Sequence, residues 1–318
     1  MKCIKLLSVI VFMFGFALMG SAQTLQDVAE SLSKGVELRA ARDFDAAIDE
    51  FERCIELAKS VGDDALEHQM SAEGVLPELY LAKVQGLPRT EFGAILEALE
   101  TAVEVAEKYN DQRTKESAER QMPQIYLAIG NTLRSEQKFD EAIQNFDKAI
   151  DRNPDFAQAY FLKGVCYESM RNEVDMDENY RLAIEKGRAF GDAQNAQSAQ
   201  QRLRNYYYNA GVSAQRAQRW DDAIAAFTKS AEVDDNYFEA FLGLAMSFNA
   251  RRSWDNAILN AEKALQIRES ADVVFWELGV AYKGKNDRTR ACENFRKVTG
   301  GPRLENAKHE IEVVLKCN

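Results

Sequence analysis

The sequence has few of the residues on which most enzyme chemistry depends. Only two histidines, His68 and His309, occur among its 318 residues. Glu310 follows His309, but Val313 stands where the zinc-protease motif requires a second histidine. The sequence also contains no phosphate-binding loop, no Gly-rich dinucleotide fingerprint and no nucleophile elbow. We therefore predict that the protein is not an enzyme and that it holds no cofactor and no metal ion.

Helix-breaking residues are scarce as well, since the chain has five prolines and 17 glycines. The residues that replace them are largely Ala, Glu, Gln and Leu, which are strong helix formers. This composition predicts an all-α fold.

Positive charge is in short supply relative to negative charge. Lys and Arg together number 40 and Asp and Glu 51, which gives a formal charge of −11. Because phosphate groups repel an acidic surface, we predict that the protein has no nucleic-acid partner.

The segment 1–22 has the layout of a secretory signal peptide. Lys2 and Lys5 precede a mostly apolar run over 6–19, and small residues at 20–22 form a cleavage site. The alternative is an uncleaved anchor, but about 20 apolar residues are needed to span a bilayer. Cleavage would remove two lysines and no acidic residue, so the formal charge would change from −11 to −13, and no membrane span would be left.

A constant spacing recurs through the second half of the chain, at about 34 residues per repeat. Three consecutive sets follow it: Gly211, Ala223, Phe227 and Ser230; Ala245, Ala257, Ala261 and Ala264; and Gly279, Ala291, Phe295 and Val298. An aromatic residue stands four positions before each set, at Tyr207, Phe241 and Phe275. The apolar residues have i, i+3 and i+4 spacing, which predicts two amphipathic helices in each repeat. We expect the small residue that opens each set to let the two helices approach closely.

The pattern resembles the tetratricopeptide repeat family. The best single match is the stretch 123–154, which contains Tyr126, Gly130, Phe139, Ala142, Phe146, Ala149 and Pro154. The resemblance implies a right-handed α-α superhelix, a solenoid over 23–318 of about seven helix-turn-helix units. The units begin near Val28, Pro77, Pro123, Ala157, Arg204, Phe238 and Asp272, and a capping helix follows at 303–316.

Three repeats carry an extra segment, which lengthens each of them by about 13 residues. The extra segments follow Gly62, Asn110 and Gly191, residue types that suit a left-handed position after a helix. Asp64, Asp111 and Asp192 stand one or two positions after them, and Asp is a favoured N-cap. We predict lengthened first helices at about 65–86, 112–135 and 193–217, projecting past their partners, with kinks at Pro77 and Pro123. The alternative is a disordered insertion.

The resemblance also implies a concave groove lined by the first helix of each repeat. Carried over position by position, it selects Asn131, Arg134, Tyr208, Asn209, Gln215, Arg216, Asn249, Trp276 and Lys283 as partner-binding residues. Aromatic side chains among amides and cations form a plausible peptide-binding surface.

These observations predict a non-catalytic scaffold that binds a peptide or helix of a protein partner. The signal segment and the family together suggest a bacterial periplasmic setting. One alternative is an envelope-complex subunit that docks or self-associates through its extended helices, and another is a small-molecule or glycan binder. The sequence leaves the oligomeric state open.

Four cysteines follow the signal segment. Cys54 and Cys166 occupy helix-packing positions and are expected to be structural thiols. Cys292 and Cys317 are the candidate pair of an exported protein. A regular hairpin of 287–299 and 303–316 places them roughly 10 Å out of register, beyond the reach of a disulfide, so an unpaired thiol is predicted.

Overall fold

The computed structural model describes residues 24–317, and the predicted signal segment at 1–22 lies outside them. Within the described residues every regular element is helical, so the predicted all-α class is confirmed. The described residues divide into two compact units, with the boundary between residues 154 and 155.

The N-terminal unit contains three helical hairpins. Its helices are α1 (Leu25–Ala40), α2 (Phe44–Val61), α3 (Leu66–Val84), α4 (Phe92–Lys108), α5 (Gln112–Glu119), α6 (Met122–Ser135) and α7 (Phe139–Arg152). The hairpins are α1 with α2, α3 with α4, and α6 with α7.

The C-terminal unit contains four helical hairpins and a short final segment. Its helices are α8 (Ala157–Met170), α9 (Glu173–Phe190), α10 (Ala193–Arg216), α11 (Trp220–Val233), α12 (Phe238–Ala250), α13 (Trp254–Ile267), α14 (Asp272–Gly284), α15 (Arg288–Arg296) and α16 (Leu304–His309). A π-helical turn over Glu310–Val314 follows α16.

Six of the hairpins close with the same turn, which the sequence pattern did not reveal. A non-glycine residue with φ between 57° and 62° follows the first helix, at Arg42, Gln137, Arg171, Gln218, Arg252 and Asn286. The next N–H donates to the carbonyl five positions earlier, as Arg219 does to Ala214 at 2.9 Å. This is the Schellman arrangement, which satisfies carbonyl groups at the end of a helix.

Each of the best-defined hairpins packs a small residue against an aromatic ring, as the repeat pattern predicts. A methyl group added at Gly211 would lie 2.6 Å from the ring of Phe227, and one at Gly279 would lie 2.5 Å from Phe295. The same contact occurs between Gly130 and Phe146 and between Gly164 and Tyr180. Glycine therefore brings the two helices of a hairpin close enough for the ring to be fully buried.

The aromatic residue four positions before the small residue has its own recurring partner. A lysine ammonium from the second helix of the same hairpin, or from the residue directly after that helix, lies over the ring. The pairs are Tyr126 with Lys148, Tyr207 with Lys229, Phe241 with Lys263 and Phe275 with Lys297, at 4.7–5.7 Å from the ring centre. Such cation–π contacts contribute about 0.5–1 kcal/mol each at exposed sites.

The lengthened first helices are present, with two departures from the prediction. Gly62, Asn110 and Gly191 all have positive φ, and Asp111 and Asp192 cap the helices that follow. The expected cap at Asp64 is wrong, because residues 63–65 form a 3-10 turn. Helix α3 runs through Pro77, whereas α5 ends before Pro123 and α6 begins anew. Proline has no N–H to donate, so the first turn of a new helix accommodates it readily.

The added turns of α10 are covered by a lengthened α9. A methyl group on Gly187 of α9 would lie 2.6 Å from the Asp192 carbonyl oxygen and 2.8 Å from Ala196 Cβ. Small buried residues occupy the equivalent turn of α2 and α4, at Ala58 and Ala106. The extension therefore packs against the preceding second helix rather than projecting freely.

The predicted capping segment covers the end of the last hairpin. Ala307 is buried. Ile311 and Leu315 pack with Phe295 of α15 and with Val298, which follows that helix. The capping segment is not one regular helix, because a π-helical turn follows the six residues of α16.

The prediction of unpaired thiols at Cys292 and Cys317 is wrong, because the two form a disulfide with a Cα–Cα distance of 5.8 Å. Helix α15 ends at Arg296 rather than near residue 299. Lys316 then adopts φ 50°, and the Cys317 N–H donates to the Ile311 carbonyl at 2.8 Å. The early helix end and the reversal of the chain remove the expected offset. Cys54 and Cys166 are buried thiols, and burial raises the pKa of Cys54.

Candidate functional site

The first helices of the C-terminal unit present two apolar rows at equivalent positions. The first row contains Phe161, Tyr208, Leu242 and Trp276, and the second contains Val165, Val212, Met246 and Val280. Except for Val165, which is buried, these side chains are only partly buried. They stand at positions for which the family resemblance implies a concave face. Tyr208 itself packs 5.7 Å from Phe227 and 5.4 Å from Tyr237, measured between ring centres.

A polar row lies beside the apolar rows, and its members bond forward to the next first helix or to the final segment. Gln215 donates to the Gly243 carbonyl at 3.1 Å and to Ser247 Oγ at 2.8 Å. Asn249 and Lys283, which hold the same position in the two repeats that follow, make equivalent bonds. Three of the predicted partner-binding side chains are therefore engaged in joining consecutive elements of the array.

The most deeply buried member of this row forms an unusual pair. Asn249 Nδ2 donates to Glu277 Oε2 at 2.7 Å and to the Glu277 carbonyl at 3.0 Å. Both side chains are more than nine-tenths buried, and Asn249 Oδ1 finds no partner among the described residues. Burial raises the pKa of Glu277, while the bond from Asn249 and the nearby charge of Arg303 oppose that rise. The pair thus places a carboxyl group between α12 and α14 at an energetic cost.

This cost predicts a pH-dependent effect of Glu277→Gln. A raised pKa means that the folded chain binds the proton more tightly than the unfolded chain, so stability falls as pH rises from about 4.5 through the folded pKa. The slope is at most about 1.4 kcal/mol per pH unit. In urea unfolding, the free energy of unfolding of the variant should rise relative to that of the parent as the pH increases from 4 to 8. A stability difference that does not change with pH would contradict the assignment.

The last two predicted residues contact the C-terminal segment. The Trp276 ring lies 5.2 Å from the Phe295 ring and 5.3 Å from the Arg303 guanidinium. Lys283 Nζ donates to both carboxylate oxygens of Glu310 at 2.7 Å. These two side chains face a segment of their own chain.

An open depression of about 530 Å³ lies between α8 and α10. It is lined by Glu168, Arg202, Asn205, Tyr206, Asn209 and Ala210. Only Asn209 was predicted. Its neighbours Arg202, Asn205 and Tyr206 stand seven, four and three positions earlier, so all four form one stripe of helix α10. We call these four residues the α10 stripe.

A hydrogen-bond network anchored on the buried Tyr180 fixes Arg202 at one end of the α10 stripe. Glu168 accepts a hydrogen bond from the Tyr180 hydroxyl at 2.6 Å and another from Arg202 Nη1 at 3.0 Å. The Tyr180 ring is fully buried against Gly164, and burial raises the pKa of its hydroxyl. The Arg202 guanidinium lies 6.0 Å from the ring centre of Phe161. Three helices, α8, α9 and α10, thereby fix the position of one exposed arginine.

The remaining predicted residues lie apart from the depression. In the N-terminal unit, Asn131 Oδ1 accepts bonds from Arg134 Nε at 3.1 Å and Nη2 at 2.9 Å. Both residues belong to α6. Arg216 is exposed in the last turn of α10. No helix in the described part of the chain has the length and apolar content needed to cross a membrane.

The helical hairpins, their regular spacing and their small-residue contacts define a helical-repeat protein. Two family models match the chain: one described as TPR repeat over residues 130–170, and one described as Tetratricopeptide repeat over residues 208–272. The chain therefore contains tetratricopeptide repeats over these two stretches.

Several curated proteins are similar to parts of the chain. The Hsp70-Hsp90 organising protein of Plasmodium falciparum is 30% identical over 107 residues, which cover 34% of this chain and 18% of that protein. DnaJ homolog subfamily C member 7 of Homo sapiens is 26% identical over 151 residues, 45% of this chain and 30% of that one. A probable UDP-N-acetylglucosamine–peptide N-acetylglucosaminyltransferase, SPINDLY of Hordeum vulgare, is 25% identical over 177 residues, 46% and 19% respectively. The matches thus span less than a third of each relative's length.

Solved structures are similar at low identity. A tetratricopeptide repeat protein from Parabacteroides merdae is 14% identical, with 92% of this chain and 100% of that one covered and a TM-score of 0.31. YrrB, a TPR protein with an unusual peptide-binding site, is 22% identical, with coverage of 58% and 89% and a TM-score of 0.32.

Proposed function

We propose that the protein is a non-catalytic scaffold that binds a segment of a protein partner against the α10 stripe. The observation that carries this proposal is the exposed stripe itself, with two amides, one arginine and one tyrosine over an open depression. Amide side chains can both donate to and accept from a peptide backbone. Arginine and tyrosine are enriched where protein interfaces concentrate their binding energy.

The fixed geometry of the stripe supports this role. Binding costs less entropy when the contacting side chains are already ordered. Arg202 is held by Glu168, and Glu168 is held in turn by the buried hydroxyl of Tyr180. The partner segment would therefore meet a surface that is largely formed before it arrives.

The setting that fits this role is the bacterial periplasm. The support is the basic and then apolar layout of residues 1–22, followed by small residues at the cleavage position. Docking through the α10 extension has less support, because its Ala196, Ala199 and Leu203 are buried. Helix α10 exposes none of the large apolar side chains that such docking would use.

The proposal is tested by selecting a random peptide library on the purified chain. Enriched peptides should bind the parent, and Asn209→Arg should weaken them at least about tenfold, because a bulky cation would fill the depression. Gln266→Arg introduces the same side chain at an exposed position of the second helix α13 and serves as the control. Binding is measured by titration calorimetry.

Two results would count against the proposal. Selected peptides that bind Asn209→Arg as tightly as the parent would remove the α10 stripe from the binding surface. A library that yields no peptide with measurable affinity would contradict the scaffold role itself.

A further inference from the structure

The C-terminal segment 303–317 takes the place of a next first helix. Gln215 and Asn249 bond forward to the first helix of the following hairpin, and Lys283 makes the equivalent bond to Glu310. Trp276 belongs to the same row as Tyr208 and is covered by Arg303. The segment therefore closes the end of the array by imitating the contacts that a further hairpin would make.

The noncovalent interactions that keep this segment in place are weak. It contains one helix of six residues and one π-helical turn, and helices this short are marginal by themselves. Ala307 is its only apolar side chain that is fully buried, and Val313 and Val314 are about half exposed. The ion pair between Lys283 and Glu310 is partly exposed, and such pairs add little.

The disulfide that anchors the segment is accessible to a reductant. The disulfide joins Cys292 of α15 to Cys317 at the end of the segment, 25 residues apart. Cys317 is partly exposed, whereas Cys292 is 6% exposed. We propose that this disulfide is a redox-controlled latch: oxidised, it keeps segment 303–317 over the end of the last hairpin, and reduced, it releases the segment and uncovers Trp276.

The opening step requires a dithiol reductant. One thiolate of the reductant attacks Cys317 Sγ, and the Cys292 thiolate leaves as the S–S bond breaks. The second thiolate of the reductant then attacks its own sulfur in the mixed disulfide and releases the Cys317 thiolate. The reductant becomes a disulfide, and its two protons end on Cys292 and Cys317.

The latch is tested by hydrogen–deuterium exchange of the full chain, oxidised and after treatment with dithiothreitol. Amides of 304–315 should exchange about a hundredfold faster in the reduced protein, because the cross-link no longer limits the open state. Amides of α12 should keep their exchange rates, and reoxidation should restore protection to the segment. Alkylation followed by mass spectrometry confirms that Cys292 and Cys317 are reduced.

The double variant Cys292→Ala/Cys317→Ala, without reductant, should reproduce the exchange of the reduced protein. Unchanged exchange at 304–315 after complete reduction would overturn the latch. Faster exchange throughout α12 and α14 would also overturn it, because the disulfide would then support the whole unit rather than the segment. Neither outcome bears on the α10 stripe.

Discussion

Phe227→Ala is expected to lower the free energy of unfolding of the C-terminal unit by about 3–5 kcal/mol. The Phe227 ring is fully buried between two helices that both present glycine to it. Methyl groups built on Gly211 and Gly243 would lie 2.6 and 2.7 Å from its ring atoms. The two glycines have no side chains that could move into the space left by the ring. Urea unfolding followed by circular dichroism measures the loss.

The same contact predicts that the effect of Gly211→Ala on stability changes sign when Phe227 is replaced by alanine. In the parent, Gly211→Ala should destabilise the protein, because the added methyl meets the ring of Phe227. In the Phe227→Ala background the methyl has space, and Ala is favoured over Gly in a helix by up to about 1 kcal/mol. Gly211→Ala should therefore be neutral or stabilising there. Equal effects in both backgrounds would show that the ring and the glycine do not interact.

Gly187→Ala is expected to cost about 1–3 kcal/mol, even though Ala is the better helix former. The added methyl would lie 2.6 Å from the backbone carbonyl of Asp192, and a backbone atom cannot rotate away. The first turns of α10 must then move from α9. Gly74→Ala is the matched control, because Gly74 lies inside α3 with no atom within 4 Å of its added methyl. That change should stabilise the protein by up to about 1 kcal/mol.

The two glycine variants are compared by urea unfolding and by hydrogen exchange at residues 193–200. Gly187→Ala should raise exchange there, since Asp192 is the N-cap of α10 and Asn195 N–H bonds to its carboxylate at 3.2 Å. If both variants stabilise the protein, helix propensity dominates and the close approach of α9 and α10 is not required.

The hairpins were predictable because each depends on contacts that lie close in sequence. Gly211 and Phe227 stand on consecutive helices of one repeat, and the constant spacing reproduces the pair at Gly279 and Phe295. The extensions were predictable for a similar reason, because Asn110 with Asp111 and Gly191 with Asp192 have local backbone and capping preferences. The fully helical course of 193–216 follows from those two signals.

The site was less predictable because it depends on relations between helices. Gln215 and Lys283 were selected by their position in a repeat. Their hydrogen-bond partners lie on the next first helix and on the final segment, and residue spacing does not reveal the angle between these elements. Arg202 was missed because it stands before the regular repeat, in the extension of α10, and Tyr206 was missed because it holds a repeat position that the family resemblance does not select. The disulfide was missed because the hairpin register assumed a regular helix up to residue 316.

The six Schellman turns have a consequence for how the chain folds. Each is closed by a bond that spans five positions, so a hairpin can form without waiting for distant parts of the chain. Proteins dominated by such local contacts have low contact order and fold rapidly. Repeat arrays can also nucleate at any repeat and grow outward from it. Gln218, Arg252 and Asn286 hold the left-handed positions of three of these turns, and we therefore expect them to act early in folding. Replacing one of them with proline, whose φ is fixed at a negative value, should slow refolding more than it speeds unfolding.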